Sequence, residues 1–258
     1  MEPASPEIIV VPNPETLARK TADIIYRRMQ AILAASDHFS WVLAGGSTPK
    51  GLYALMAESP DYRDHIPWDR IHFFWGDDRH VPPDDAESNY RMAYESLLSK
   101  VPVPVENIHR IRTEMPDADQ AAANYAGALG KFFKLPSDQL PRFDCVLLGM
   151  GPDGHTASLF PGTRALGETK KWVVANWVDK LKTFRITMCV PVLNNAAMVI
   201  FLISGPQKAA VLRDVLEGDF QPDHLPSQRI HPVNGKLLWL VDQPAAARLS
   251  RYRRKVSS

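Results

Sequence analysis

Asp153 and His155 flank a single glycine in the run Leu147-Leu148-Gly149-Met150-Gly151-Pro152-Asp153-Gly154-His155-Thr156-Ala157-Ser158. A histidine titrates near neutrality, so it can take a proton from water and return it to a leaving group. A carboxylate beside it can hold the ring's tautomer and stabilise the imidazolium that forms during turnover. The plainer alternative is that Asp153 caps a following helix and His155 packs at its start. The glycine-rich backbone around the pair favours the chemical reading.

A second segment, Leu43-Ala44-Gly45-Gly46-Ser47-Thr48-Pro49, passes from an apolar strand through two glycines into a helix. Unpaired amides at a helix start attract an anion, and Gly45, Gly46 and Ser47 offer close backbone approach and a hydroxyl. The same residues also suit an ordinary turn capped by Ser47 or Thr48. They form neither a Walker A loop nor a dinucleotide fingerprint, so no nucleotide is indicated. A third segment, Gly76-Asp77-Asp78-Arg79-His80, delivers ionisable side chains to the end of a strand, where open α/β sheets bind ligands. Asp77 and Arg79 read as functional, whereas Asp85, Glu87 and Ser88 read as caps of the next helix. Arg185 stands at the start of an apolar strand. Lys208 falls in a first helical turn, where its charge opposes the helix dipole unless a phosphate lies beside it. A lone surface lysine remains the other reading.

Elements that would position these residues alternate along the chain. Strands are expected at Ile8–Val10, Ser40–Leu43, Ile71–Trp75, Asn107–Ile111, Phe143–Leu148, Trp172–Asn176, Thr183–Val190, Met198–Ile203 and Leu237–Val241. Helices are expected at Pro14–Ala35, Pro49–Glu58, Ser88–Ser99, Asp117–Phe133, Gly205–Glu217 and Gln243–Tyr252. The first helix carries Leu17, Ile24, Ile25, Met29 and Ile32 at mostly helical spacing. Strand-then-helix order predicts an α/β fold, Rossmann-like, with a mostly parallel sheet flanked by helices on both faces and one domain over residues 1–258. Cys145–Leu148 and Met198–Ile203 lack alternation, as strands buried on both faces do.

Composition narrows the partners. With 45% hydrophobic and 23% charged residues and a formal charge of +1, no electrostatic footprint for nucleic acid or a membrane is expected. The basic cluster Arg248, Arg251, Arg253, Arg254 and Lys255 reads as a solvated helix end and tail. Cys145 and Cys189 lie in apolar runs and read as buried free thiols. No His-Glu-x-x-His or paired cysteine spacing appears, so no metal is expected. Residues 1–6 show no basic region followed by an apolar stretch and no run approaches membrane length, so the chain reads as cytoplasmic.

Taken together, LAGGSTPK (43–50), FWGDDRHVP (74–82), DAESNY (85–90) and LLGMGPDGHTASLFP (147–161) resemble the 6-phosphogluconolactonase family. Arg185-Ile186-Thr187, Gly205–Ala209 and Trp239–Ala246 continue the match in order, so the resemblance covers nearly the whole chain. It implies a fold similar to glucosamine-6-phosphate deaminase and hydrolysis of 6-phosphogluconolactone, a small-molecule substrate, without a cofactor. It also implies His155 as general base and Asp153 as its electrostatic partner. Gly45, Gly46, Ser47, Arg185 and Lys208 would cradle the phosphate, and Arg79 would contact substrate. Asp78 departs from the family's usual glutamate, which puts a direct role for it in doubt. A deaminase or isomerase is the competing reading. That family follows its Asp-Gly-His turn with Ala-Phe-Asn-Glu and carries tyrosine in place of Arg79, and this chain does neither. A non-catalytic sugar-phosphate sensor is a third reading. Oligomeric state is left open.

Overall fold

The computed structural model describes residues 7–136 and 138–250. The strands are β1 (Glu7–Val11), β2 (Phe39–Leu43), β3 (Ile71–Trp75), β4 (Asp77–Arg79), β5 (Ile108–His109), β6 (Cys145–Leu148), β7 (Val173–Val178), β8 (Thr183–Met188), β9 (Met198–Ile203) and β10 (Lys236–Asp242). The helices are α1 (Pro14–Leu33), α2 (Ser47–Glu58), α3 (Pro60–Arg63), α4 (Asn89–Ser96), α5 (Ala118–Phe133), α6 (Val190–Asn194), α7 (Ala209–Glu217) and α8 (Gln243–Ala246).

Local signals set these elements. Asn13 caps α1 by accepting the Thr16 amide at 2.8 Å, and Pro14 occupies the first turn. Leu17, Ile25 and Met29 are fully buried along the stripe, with Ile24 and Ile32 packed partly against the core. Every residue of β2, β6 and β9 is buried, which explains their unbroken apolar sequences.

Seven strands form one sheet in the order β1-β10-β9-β6-β2-β3-β5, and all its pairs are parallel. The order reverses at its middle. From β2 the chain moves outward to β3 and β5; from β6 it moves the other way to β9 and β10. A crevice therefore opens beyond the carboxyl ends of β2 and β6, at the switch point. The Gly45-Gly46 turn follows β2, and the histidine turn follows β6. Topology alone brings these two distant segments to one place.

A second, antiparallel sheet, β4-β8-β7, lies beyond the expected architecture. Asp77-Asp78-Arg79 has no apolar alternation, and its extended form comes from pairing with β8: Asp77 opposite Thr187, Asp78 opposite Ile186, Arg79 opposite Arg185. Short α6 was likewise unforeseen, because Pro191 marks a turn as readily as a first helical turn. Helix α8 ends at Ala246, earlier than expected, and positions 251–252 of that expected helix lie outside the described residues. So do Arg251, Arg253, Arg254 and Lys255 of the basic cluster. Both cysteines are buried and unpaired, and burial pushes each thiol up to about 12. Among the described residues, no helix is long and apolar enough to cross a membrane.

Candidate active site

The histidine turn leaves β6 and folds back on itself. The Gly151 amide donates to the His155 carbonyl at 2.8 Å, and the Thr156 hydroxyl to Gly149 O at 2.8 Å. The next helical turn, Arg164–Gly167, lies well beyond the pair, so neither residue is a helix-start feature. Instead the His155 ring turns back over Gly151. A Cβ there would stand 2.1 Å from ring atoms Cε1 and Nδ1 and 2.9 Å from Asp153 Oδ1. The ring's Nδ1 lies 2.5 Å from Asp153 Oδ1, and the ring stacks on Phe160 with centroids 4.0 Å apart. With Nδ1 donating to the carboxylate, Nε2 is the ring nitrogen left free.

Asp153 accepts a second cation. Lys180, in the tight turn between β7 and β8, donates Nζ to Asp153 Oδ2 and stands 4.8 Å from the Phe160 ring centroid. Burial raises the Asp153 carboxyl, but the hydrogen bonds from His155 and Lys180 outweigh it and hold the group well below the usual carboxylate range. Asp153 is therefore held in its ionised form. Gly151→Ala is expected to push the ring off Asp153 and lower turnover by roughly 10–100-fold, since small displacements of a reacting group are costly. An unchanged melting temperature alongside that loss would locate the effect in the ring's placement.

The anion side is built by other elements. Helix α2 begins at Ser47 with Gly46 as its N-cap, and no side chain caps its first amides. Ser47 and Thr48 thus lie within the helix instead of capping it. Gly45 is held against Asn89 so closely that a Cβ would stand 1.9 Å from Asn89 Oδ1. Asn89 in turn donates to Asp77 O at 3.0 Å, tying the start of α4 to β4 and the glycine turn.

Asp78, only 1% exposed, organises that same junction. Its carboxylate accepts the amides of Arg79 and Asn89, each at 2.7 Å, the Tyr90 amide at 3.0 Å and the Ser88 hydroxyl at 3.3 Å. Burial lifts its carboxyl to about 6 despite those donors. Its oxygens face backbone, and its contribution is to the scaffold. Ser88 is the α4 cap, accepting the Arg91 amide, as the sequence suggested.

Arg79 and Arg185 sit side by side in the small sheet, and neither has an ion-pair partner among the described residues. Arg79 donates to Glu87 O. Arg185 is 8% exposed, and its buried Nε has no hydrogen-bond partner among the described residues. Burial and then repulsion from Arg79 lower its proton affinity. Lys208, in a short turn ahead of α7, donates Nζ to Met150 O at 2.7 Å, and burial lowers it too. Asp77, the nearby acid, is engaged by the Ser158 hydroxyl at 2.6 Å. Three cations without carboxylate partners among the described residues, around one hollow, are an electrostatic deficit that a bound dianion would offset.

One cleft of about 620 Å³ gathers these groups. Gly45, Gly46, Ser47, Asp77, Arg79, His155, Arg185 and Lys208 all line it. Asp153 stands behind His155 and opens on the adjoining hollow, as a partner to the ring should. Lys180 also lines the cleft and was not foreseen. Within Asp179-Lys180-Leu181-Lys182 it looks like any charged turn, and only the β7–β8 hairpin brings it to Asp153. Phe160 and Asn89 fell inside recognised segments without a role of their own; no local pattern distinguishes a stacking ring or a bracing amide.

Fold and cleft together define a doubly wound α/β protein in which an imidazole–carboxylate pair faces an anion pocket. The family of glucosamine-6-phosphate isomerases and 6-phosphogluconolactonases matches residues 12–239. The 6-phosphogluconolactonase of Synechocystis is 36% identical over 245 residues, covering 95% of this chain and 99% of its own. The solved structure of 6-phosphogluconolactonase from Trypanosoma brucei superposes with a TM-score of 0.81 at 31% identity, covering 95% of this chain and 99% of its own. A monomeric glucosamine-6-phosphate deaminase of the NagB superfamily shares the fold, with a TM-score of 0.79 at 19% identity, covering 94% and 99%. The chain belongs to the glucosamine-6-phosphate isomerase/6-phosphogluconolactonase family.

Proposed function

We propose that this protein hydrolyses 6-phospho-D-glucono-1,5-lactone to 6-phospho-D-gluconate, with His155 as general base. The observation that carries the reading is one cleft holding both the Asp153-bound imidazole and the unpaired Arg185 guanidinium. The first amides of α2, with Arg185 and Lys208, bind the 6-phosphate. That remote charge fixes the sugar, converting binding energy into orientation of the ring ester.

His155 Nε2 takes a proton from water as the water oxygen bonds to C1 of the lactone. Charge gathers on the former carbonyl oxygen, where Arg79 or turn amides donate; such a donor is typically worth about 3–4 kcal/mol. The bond from C1 to the ring oxygen then breaks, and the imidazolium returns its proton to that oxygen as it becomes a hydroxyl. Asp153 steadies the imidazolium throughout. Ser158 is already committed to Asp77, so no serine nucleophile is needed. The reading assigns the enzyme to the cytoplasm and to the step between the two dehydrogenases of the oxidative pentose phosphate pathway.

The competing deaminase reading is disfavoured by the residues after the histidine turn. Thr156-Ala157-Ser158 supplies no carboxylate there, and Arg79 fills a position at which deaminases carry tyrosine. Parallel assays decide between the two. Freshly made lactone is expected to be hydrolysed well above its spontaneous rate, while glucosamine 6-phosphate releases no ammonia. The reverse result would transfer the protein to the deaminase class, and inactivity towards both would make it a sensor.

A further inference from the structure

We propose that Lys180 is a positioning residue for the acid–base pair: by sharing Asp153 with His155, it sets the pH at which the imidazole becomes a base. The inference rests on the general-base role given to His155. Asp153 is a two-handed acceptor, with Oδ1 receiving His155 Nδ1 and Oδ2 receiving Lys180 Nζ. The same lysine lies over Phe160, the ring on which His155 stacks. Lysine, carboxylate, imidazole and phenyl ring therefore form one closed unit. Its two strands of chain are stitched together by Asn176 on β7, whose amide donates to Ser158 O at 2.9 Å and Thr163 Oγ1 at 3.0 Å.

The sign of the effect follows from charge. An Asp153 carboxylate paired only with His155 would favour the imidazolium over the neutral ring. A cation on the other oxygen draws part of that stabilisation away and repels the imidazolium as well. Around His155 the charged groups are Asp153 on its own turn, Lys180 from the β7–β8 turn, and Lys208 ahead of α7. Across the cleft stand Asp77 and Arg79 on β4 and Arg185 on β8. Of these, Lys180 is the one cation that bonds Asp153 among the described residues. Lys208 donates to Met150 O and acts on Asp153 only through space, and Asp77 accepts from the Ser158 hydroxyl. The Lys180 side chain is 53% exposed, so its replacement leaves the core intact.

The test is an NMR titration of the His155 Cε1 proton, assigned by its loss in H155A, in the wild-type full chain, Lys180→Met and Lys180→Arg. Lys180→Met is expected to raise the titration midpoint by on the order of 0.5–1 pH unit, and Lys180→Arg to return it to the wild-type value. The acidic limb of the kcat/KM profile for the lactone should move by the same amount. A structural role alone would lower the melting temperature without moving either midpoint. An unchanged His155 midpoint in folded Lys180→Met overturns the inference, whatever the activity. A shifted midpoint in a protein that does not hydrolyse the lactone would leave the coupling standing and remove the lactonase reading instead.

Discussion

His155→Ala is expected to fold normally and to lose roughly 10²–10⁴-fold in kcat for lactone hydrolysis, the usual span for a positioned general base. KM should change little, because the proposed phosphate contacts lie on α2, β8 and the turn before α7, none of which the ring supports. The melting temperature should stay within a few degrees. The ring contributes one stacking contact with Phe160, and Asp153 keeps Lys180 as a partner when the imidazole is gone. Equal losses in kcat and kcat/KM are the pattern of an interaction made only in the transition state. Near-wild-type kcat in a folded variant would take His155 out of the chemistry.

Arg185→Met is expected to separate function from stability. Its guanidinium is buried, its Nε lacks a partner, and its cross-strand neighbour is another arginine. A charge held so poorly in the ligand-free protein is destabilising, and an apolar side chain of similar volume relieves that cost. The melting temperature should therefore hold or rise. Activity should move the other way. Removing one member of a buried charge pair with substrate typically costs about 2–5 kcal/mol, so kcat/KM for the phosphorylated lactone should fall by roughly 30- to 5,000-fold. Unphosphorylated glucono-1,5-lactone, which never meets the phosphate cradle, should be hydrolysed equally by both proteins. A drop in melting temperature with kcat/KM unchanged would make Arg185 a structural residue of the small sheet. This trade of stability for binding is typical of residues kept for function.

Most of the candidate groups that line the cleft stand out locally in the sequence. Glycines around Asp153 and His155, two glycines before Ser47, and a lysine at the wrong end of a helix are all departures from what folding alone would select. The parallel sheet was equally legible, because apolar runs such as Met198–Ile203 have no solvated face to alternate with. The second sheet was hidden for the opposite reason. Asp77-Asp78-Arg79 carries no strand pattern, and its conformation is imposed by pairing with β8 across more than a hundred residues of chain. That pairing sets Arg79 beside Arg185, which gives the pocket its charge. Lys180 was hidden in the same way, as an ordinary cation until a hairpin delivers it to a carboxylate. Asp78 was read from its departure in side-chain length, and the structure gives it the work of holding the start of α4 instead of touching the cleft.

The proposed phosphate cradle and the imidazole should serve one substrate. A crystal structure of the protein soaked with 6-phosphogluconate, the product, tests it most directly. The phosphate is expected in hydrogen-bond contact with the amides at Ser47 and with Arg185, and the C1 carboxylate within hydrogen-bond reach of His155 Nε2. A product molecule anchored by its phosphate elsewhere, or seated in the cradle with C1 turned away from His155, would contradict it.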